Sequence, residues 1–246
     1  MMEEFLQHWY GILAFVLFDV LAFIAVVAIT YRWLFKRVFD FLAALVCILF
    51  TSPLFLVVLI RGKRFKSQAE VELSLLERTP FVSKKGKTVL LTTFRYADQD
   101  GDVFGKYGNW LVRTGLYKLP YLFDVLCGRI AFIGVKPLSE VDAEFIDEEN
   151  EARFLCRAGL INPLVRTGDS DTTYEEMLNS DNRYAIYGGF GTDISIFFTW
   201  LLKLIREGKK DEYFGHTRDT SYAQTLLSEG EITTEDFNAV LDAYKK

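Results

Sequence analysis

Histidine and cysteine are scarce in this sequence, which has 2 His and 3 Cys among its 246 residues. With only His8 and His216, a histidine-rich metal site is excluded and a Ser-His-Asp triad is disfavoured. The odd number and wide spacing of the cysteines give neither a disulfide framework nor a C-x-x-C metal motif. We expect all three to be reduced core residues: Cys47, Cys127 and Cys156. Basic residues do not alternate with aromatic ones, so nothing indicates nucleic-acid binding.

Hydrophobic residues are abundant and unevenly distributed. They make up 50% of the chain, 22 residues are Phe, and the mean hydropathy is positive. These residues concentrate in the first 60 positions, which predicts a membrane-attached protein with one soluble domain of ordinary size. Although the net charge is −5, residues 61–66 form a basic stripe. A basic stripe beside an apolar run is typical of contact with a membrane surface.

The first apolar run, Trp9–Thr30, is interrupted only by Asp19. At about 1.5 Å per residue it is long enough to cross a hydrocarbon layer of about 30 Å, and aromatic residues stand at both ends. A signal peptide would have a basic start and a shorter run. We therefore predict a transmembrane helix, in which Asp19 either faces another protein surface or is outweighed by its apolar neighbours.

The second apolar run, residues 38–60, has basic residues on both sides. The positive-inside rule places both flanks in the cytoplasm, which a single crossing cannot do. A re-entrant helix satisfies the rule, and Ser52 and Pro53 supply the break, since proline removes one helical hydrogen bond and the serine hydroxyl can satisfy a freed carbonyl. The predicted topology has the N-terminus outside, one crossing, one re-entrant helix and all later residues in the cytoplasm.

The remaining sequence predicts a mixed, helix-rich domain. Residues 81–91 alternate around a glycine turn and predict a hairpin, and Pro120 divides the helical pattern of residues 111–126 into two short helices or a kinked one. Residues 221–244 read as a helix, a glycine stop, a threonine cap and a second helix. The acidic run at residues 140–151 is interpreted as a solvated helix face rather than a metal site.

Residues 113–137 resemble the signature of the bacterial sugar transferases, the monotopic phosphoglycosyl transferases. The pattern of that family reads L-R-x-x-S-L-D-E-L-P-Q-L-x-N-V-L-x-G-x-M-S-x-V-G-P-R-P. Its frame is retained here in the following residues: Leu111, Arg113, Leu116, Leu119, Pro120, Leu122, Val125, Leu126, Gly128, Gly134 and Pro137.

Other segments resemble the same family in the same order. Residues 36–40 are similar to its K-R-x-F-D opening, residues 93–95 to its K-F-R, and residues 157–161 to its R-x-x-P-G-I-T-G. Tyr184 and Asp193 keep the nine-residue separation of the tyrosine and aspartate in the closing motif Y-V-x-N-x-S-x-x-x-D. The resemblance runs from about residue 36 to about residue 204.

The resemblance implies an enzyme that moves a sugar phosphate from a UDP-sugar onto polyprenyl phosphate with Mg²⁺. In the family the aspartate of the Asp-Glu pair is the nucleophile, and the second carboxylate and Mg²⁺ hold the pyrophosphate. Here Tyr117 and Lys118 occupy the positions of that pair. A tyrosine hydroxyl with a pKa near 10 ionises little at neutral pH, and a lysine repels the metal. The resemblance therefore implies Mg²⁺ only if the chain is active, and no metal site otherwise.

Three functional hypotheses follow. The favoured one is a catalytically impaired homologue that binds polyprenyl phosphate, nucleotide sugar or an active partner. The second is an active enzyme with a relocated nucleophile, Asp124, seven residues after Tyr117 and on the same face if the helix is continuous. The third is a structural membrane scaffold without a ligand. The cations Arg95, Arg113 and Lys136 favour phosphate binding over the third, although contact with lipid headgroups explains each of them alone.

The predicted fold is therefore α+β and helix-rich, with an N-terminal transmembrane helix and a Ser-Pro-broken re-entrant helix. The expected divisions are 1–33 for the transmembrane helix, 34–206 for the sugar-transferase-like domain, with 34–60 in the membrane, and 207–246 for an acidic helical hairpin. From the resemblance we expect the bacterial inner membrane, with the soluble domain facing the cytoplasm. The expected partners are membrane lipid, polyprenyl phosphate, UDP-sugar and other copies or glycan-assembly proteins, but no nucleic acid.

Overall fold

The computed structural model of the chain describes residues 9–31, 35–68, 74–98, 102–166, 172–206 and 221–244. Within these ranges the protein is rich in helix and has four short strands. The helices are α1 Trp9–Thr30, α2 Lys36–Gln68, α3 Gly105–Thr114, α4 Tyr121–Leu126, α5 Glu140–Glu144, α6 Tyr174–Tyr187, α7 Phe190–Arg206, α8 Tyr222–Glu229 and α9 Thr234–Tyr244. The strands are β1 Leu76–Val82, β2 Thr88–Phe94, β3 Ala131–Ile133 and β4 Gly159–Ile161.

Helices α1 and α2 are long and apolar enough to cross a membrane. Helix α1 ends at Thr30, where the apolar run ends, and nearly all of its side chains from residue 9 to residue 26 are exposed. This is the surface expected of a helix whose solvent is lipid. The two candidate membrane helices therefore agree with the sequence prediction in position and composition.

Helix α2 continues through Pro53 without an interruption in its helical assignment. Proline has no N–H to donate to the carbonyl of Leu49, four residues earlier. The hydroxyl of Ser52 donates to that carbonyl at 2.9 Å and so satisfies the freed acceptor. The compensation predicted for the Ser-Pro pair is present, whereas the break itself and the re-entrant path stay predictions.

One face of α2 packs on the rest of the protein along much of its length. Near its start, Ala44 is fully buried in a first core cluster together with Leu122 and Val125. Fourteen residues further on, Val58 is fully buried in a second core cluster. Between them the ring of Phe55 meets the rings of Phe94 and Phe123, with centroids 6.0 and 5.4 Å apart. Most apolar side chains on the other face of α2 are exposed.

Two small sheets support the domain. Strands β1 and β2 form the predicted antiparallel hairpin, and its turn contains two residues with positive φ, Lys85 and Gly86. Strands β3 and β4 pair in parallel, with residue 131 opposite residue 159. Glycine is required there because a Cβ on Gly159 would lie 2.1 Å from the backbone nitrogen of Gly134.

The segment between α3 and α4 confirms the division at Pro120. Helix α3 ends at Thr114 because Gly115 takes a left-handed conformation with φ 64°. A short 3₁₀ turn follows, and Pro120 precedes the first residue of α4. The chain therefore forms separate short helices here rather than one continuous helix.

Helices α8 and α9 form the predicted C-terminal hairpin, with Gly230 as the left-handed stop of α8. The hairpin packs on α5, where the Asp142 carboxylate accepts the backbone N–H of Ala223 at 2.9 Å. The interpretation of the acidic run as a solvated face was therefore wrong for Asp142, which is buried because it caps α8. The expectation of three core cysteines was wrong for Cys127, which is exposed after the end of α4.

Candidate functional site

The positions at which the family pattern places its Asp-Glu pair lie in the 3₁₀ turn Leu116–Lys118. The side chain of Tyr117 is buried in the second core cluster, where its ring meets the ring of Tyr96 edge-on with centroids 5.0 Å apart. The ammonium of Lys118 lies 5.5 Å from the centroid of the Tyr117 ring. Tyr117 thus packs as an aromatic core residue, and a cation covers its ring.

Mg²⁺ binds through oxygen ligands, mostly carboxylates and waters. Among the described residues, no group of three or more His, Cys, Asp or Glu side chains is arranged to hold a metal ion. A buried tyrosine and a lysine do not supply the ligands that the ion needs. The residues at positions 117 and 118 therefore do not fit a Mg²⁺ ion.

Asp124 lies on α4, in a different element from Tyr117, so the two do not share the face of one helix. Its carboxylate is buried, accepts the backbone N–H of Thr92 at 2.8 Å and forms an ion pair with Arg129. These contacts fix α4 to strand β2. Both oxygens of Asp124 have partners, which is the environment of a structural carboxylate. Its role as a relocated nucleophile stays a prediction.

The three cations singled out from the sequence have different settings. Arg95 pairs with Glu77 at 3.2 Å on the hairpin, and Arg113 is exposed in the last turn of α3. Lys136 is half-buried, and its ammonium lies 5.3 Å from the centroid of the Tyr174 ring. Burial lowers the pKa of Lys136 to about 8, although Asp181 opposes this shift. A shared phosphate site for these three residues stays a prediction.

A carboxylate at the start of α7 joins the two ends of the family-like region. Asp193 is buried and accepts hydrogen bonds of 2.6 Å from three donors: the Tyr31 hydroxyl, the Lys36 ammonium and the Tyr184 hydroxyl. Lys36 also lies 3.8 Å from Asp40, whose carboxylate accepts the backbone N–H of Phe132 at 3.0 Å. The opening K-R-x-F-D motif and the closing Tyr-Asp motif thus meet in space.

Tyr184 serves this network as a hydrogen-bond donor. Burial, and next the negative charge of Asp193, raise the pKa of Tyr184 well above its ordinary value. Its hydroxyl therefore keeps its proton at physiological pH and also lies 3.2 Å from the carbonyl oxygen of Ile133. The network is a set of positioned, satisfied polar groups and holds α7 against the start of α2.

A cavity of about 540 Å³ opens beside this network. Four cationic side chains line it: Lys36, Arg37, Lys84 and Arg157. The two carboxylates in its wall, Asp40 and Asp193, are buried and already hydrogen-bonded. A cavity of this size with an excess of positive charge suits an anionic small molecule.

Arg37 forms the wall of the cavity towards α4. Its two terminal nitrogens donate to the carbonyl oxygens of Val125 and Leu126, each at 2.6 Å, and thereby cap the end of α4. Gly128 is next to this contact and has φ 78°, and a Cβ there would lie 2.8 Å from a nitrogen of Arg37. The glycine of the family frame is thus explained by the approach of Arg37.

The site residues predicted from the sequence do not line this cavity. They are Tyr117, Lys118, Asp124, Arg95, Arg113 and Lys136. The sequence resemblance did identify the motifs of Lys36, Tyr184 and Asp193, but assigned them no site. Lys84 and Arg157 were not predicted as site residues, because the hairpin turn and the segment before β4 are far apart in sequence. Only the fold brings them to one opening.

The family model described as bacterial sugar transferase matches residues 31–207. The chain is 27% identical over 187 residues to the exopolysaccharide production protein ExoY of Rhizobium meliloti (strain 1021), a match that covers 66% of this chain and 82% of that protein. The range matched by the family model therefore includes the residues that line the cavity.

Two longer relatives match over shorter segments. The UDP-galactose-lipid carrier transferase of Erwinia amylovora is 26% identical over 93 residues, which are 38% of this chain and 20% of that protein. The undecaprenyl-phosphate galactose phosphotransferase of Salmonella typhimurium (strain LT2) is 26% identical over 102 residues, 41% of this chain and 21% of that protein. The match with each of them spans about a fifth of the relative's length.

Proposed function

Because this chain belongs to the bacterial sugar transferase family, we propose that it is a membrane protein of exopolysaccharide or glycoconjugate assembly that has lost phosphosugar transfer. The burial of Tyr117 is the observation that carries the proposal. In the family pattern this position holds the nucleophile, which must reach a phosphorus atom. Here the position holds a phenol ring packed among apolar side chains.

The chemistry of the two positions supports the same conclusion. A carboxylate attacks a phosphoryl group at neutral pH without first losing a proton, whereas a phenol must be deprotonated. Lys118 lies over the Tyr117 ring, so a positive charge stands where the family pattern has a metal-binding carboxylate. The apolar frame around these residues is kept. Retention of the fold with loss of the reaction produces this combination.

A homologue without transfer activity can still bind a ligand or a partner protein. Polyprenyl phosphate, a nucleotide sugar or an active member of the family are the three ligands or partners that we propose. Relatives of this chain carry names that refer to undecaprenyl phosphate, to a UDP-sugar and to exopolysaccharide production. A protein that holds one of these without consuming it would present it to, or withhold it from, an active transferase.

The test is UMP release by the purified full-length protein in lipid nanodiscs. The reaction contains polyprenyl phosphate, Mg²⁺ and a panel of UDP-sugars, and an active family member serves as the positive control. We expect no UMP above the protein-free background with any sugar. A covalent phosphosugar adduct on the protein, measured with radiolabelled donor, should likewise be absent.

Release of UMP would contradict the proposal and favour an active enzyme. Asp124→Asn then separates the remaining hypotheses, because Asn is nearly isosteric and still accepts the N–H of Thr92. Loss of release in Asp124→Asn with unchanged thermal stability would identify Asp124 as the nucleophile. Release that survives Asp124→Asn would place the chemistry elsewhere.

We also propose that α2 is re-entrant and that the domain lies on the cytoplasmic membrane face. Arg37 and Val58 both contact the soluble domain although 21 residues separate them, about 30 Å along a straight helix. That distance equals the thickness of the hydrocarbon layer. A straight crossing helix would put its two ends on opposite sides of the membrane, so contact of both ends with one domain supports a path that enters and leaves on one side.

Cysteine labelling in whole cells tests this topology. The three native cysteines are replaced by serine, and single cysteines are introduced as Lys66→Cys or Glu229→Cys, with Glu3→Cys as the matched external position. We expect a membrane-impermeant maleimide to label only position 3 until the membrane is opened. Labelling of position 66 or 229 in intact cells would rule out the re-entrant topology.

A further inference from the structure

We propose that the cavity beside Asp193 binds a phosphate ester at the membrane surface, at a site separate from positions 117 and 118. The inference deepens the proposed function and rests on it only for the choice of polyprenyl phosphate as the first probe. Its basis is the charge, size and position of the cavity. None of these depends on whether the chain retains any transfer activity.

The charges around the cavity do not balance. Two of the cations bind groups of the protein itself: Lys36 pairs with Asp193, and Arg37 donates to the carbonyl groups at the end of α4. Arg37 forms no ion pair with a carboxylate in the described part of the chain. Among the residues that the structure describes, Lys84 and Arg157 form no ion pair. Lys84 is exposed at the opening and Arg157 is half-buried in the wall. An anion that enters would therefore meet two uncompensated cations and the guanidinium of Arg37.

The size of the cavity favours a ligand larger than a single inorganic ion. Its volume of about 540 Å³ falls within the range of small-molecule sites, which is roughly 300–1,000 Å³. The apolar part of the lining includes Ala131, Leu155 and Ile186. The cavity thus has cations that can bind a phosphate and apolar walls that can contact the group esterified to it.

The position of the cavity relative to the membrane helices indicates where the phosphate comes from. Tyr31 follows the last residue of α1, and Lys36 and Arg37 begin α2, immediately before its apolar run. Residues at such a boundary lie at the depth of lipid headgroups. A phosphate carried by a membrane lipid would arrive at this depth, whereas a nucleotide would enter from the aqueous side.

The decisive variant removes the two uncompensated charges. Lys84→Gln combined with Arg157→Gln removes both charges but leaves a flexible polar side chain at each position, and neither residue forms an ion pair with another residue that the structure describes. The matched control is Lys85→Gln combined with Lys87→Gln, which also removes two positive charges, at exposed positions in the hairpin that contains Lys84 but outside the cavity. Equal thermal stability of the three proteins establishes that folding is unchanged.

Binding is measured on full-length protein in neutral phosphatidylcholine nanodiscs with radiolabelled polyprenyl phosphate. Separate arms use UDP-sugar, inorganic phosphate and nanodiscs that contain phosphatidylglycerol. We expect saturable binding of polyprenyl phosphate by the wild type and the control, and affinity about tenfold weaker in Lys84→Gln/Arg157→Gln. The same loss for UDP-sugar or inorganic phosphate alone would support the site with an aqueous ligand, and competition by phosphatidylglycerol would support it with an ordinary lipid headgroup.

Equal affinities in the site variant and its control, or the absence of saturable binding with every probe, would overturn the inference. The outcome is independent of the UMP assay. UMP release together with charge-dependent binding would refute only the loss of catalysis, and no release together with equal affinities would refute only this site.

Discussion

Arg153 and Asp181 form an ion pair that is almost completely withdrawn from solvent. A terminal nitrogen of Arg153 lies 3.0 Å from the Asp181 carboxylate, with 2% and 0% of the side chains exposed. The same nitrogen donates to the carbonyl of Lys136 at 2.6 Å, and Asp181 accepts the backbone N–H of Lys136. The pair therefore fastens α6 to the segment after β3. The other terminal nitrogen of Arg153 is buried without a hydrogen-bond partner among the described residues.

Asp181→Asn should destabilise the protein strongly. The substitution keeps the shape but leaves the buried guanidinium without its counter-charge, which costs about 3–5 kcal/mol. For a protein of this size that corresponds to a decrease of roughly 6–20 °C in Tm. Circular dichroism in detergent micelles measures the change. The exposed Glu148→Gln is the control and should leave Tm unchanged. A decrease of the same size in both variants would contradict the structural role of the pair.

Titration of Lys136 should make the free energy of unfolding increase with pH in the alkaline range. Because burial lowers its pKa to about 8 in the folded protein, against about 10.4 in an unfolded chain, its charge destabilises the folded state below pH 8. That cost is lost as pH rises from about 8 to about 10.4, since the folded state releases its proton first.

The check compares wild type with Lys136→Met, which has no charge at this position to titrate. Between pH 7 and pH 9.5 the wild type should gain about 1–2 kcal/mol relative to the variant in denaturant unfolding. Parallel pH profiles of the two proteins would show that Lys136 does not titrate in this range.

Tyr184→Phe should weaken the link between α6 and α7, where the Tyr184 hydroxyl donates to Asp193. The substitution removes only the hydroxyl that donates to Asp193 at 2.6 Å, a bond to a charged acceptor worth about 1.5–3 kcal/mol. Tyr187→Phe on the same helix removes a hydroxyl from a side chain that is 78% exposed and should have no effect. Limited proteolysis and Tm provide two readouts. Equal stability of Tyr184→Phe and Tyr187→Phe would contradict the inferred network.

Gly128→Ala should lower the free energy of unfolding by more than the backbone strain of its positive φ accounts for. Gly86→Ala is the control, because Gly86 has a similar φ of 67° with nothing near its Cβ position. Both variants incur about 1–2 kcal/mol of left-handed strain, and Gly128→Ala also displaces Arg37 from the α4 carbonyls. For Gly128→Ala we expect the free energy of unfolding, obtained from thermal unfolding curves, to decrease by an additional amount of about 1–2 kcal/mol. Identical losses would show that Arg37 adjusts freely.

Local elements of the fold could be predicted because their signals lie within a few residues. The run Trp9–Thr30 ends where its apolar composition ends, Gly86 marks the hairpin turn, and Pro120 and Gly230 mark helix boundaries. Hydrogen bonding and φ preferences of single residues decide such features. The structure also gives a physical reason for a residue that matches the family frame, because Gly128 leaves room for the side chain of Arg37.

The candidate site could be predicted only in part, because it depends on contacts between distant segments. The two motifs that contain Lys36 and Asp193 were identified, but the sequence did not indicate that they meet. The burial of Asp142 depends on the return of the C-terminal hairpin, so a local charge pattern could not reveal it. Arg157 lies in the segment that resembles R-x-x-P-G-I-T-G, but nothing in the sequence indicated that it shares a cavity with Lys84.

The separation of 157 residues between Lys36 and Asp193 also sets an order of events during synthesis. Tyr31 and Lys36 are made early, while the carboxylate that binds both of them leaves the ribosome only with the start of α7. The two candidate membrane helices are thus synthesised long before Asp193, and closing this long-range contact is a late step. A chain that stops short of residue 193 would contain both candidate membrane helices and yet lack the carboxylate that accepts hydrogen bonds from Tyr31, Lys36 and Tyr184.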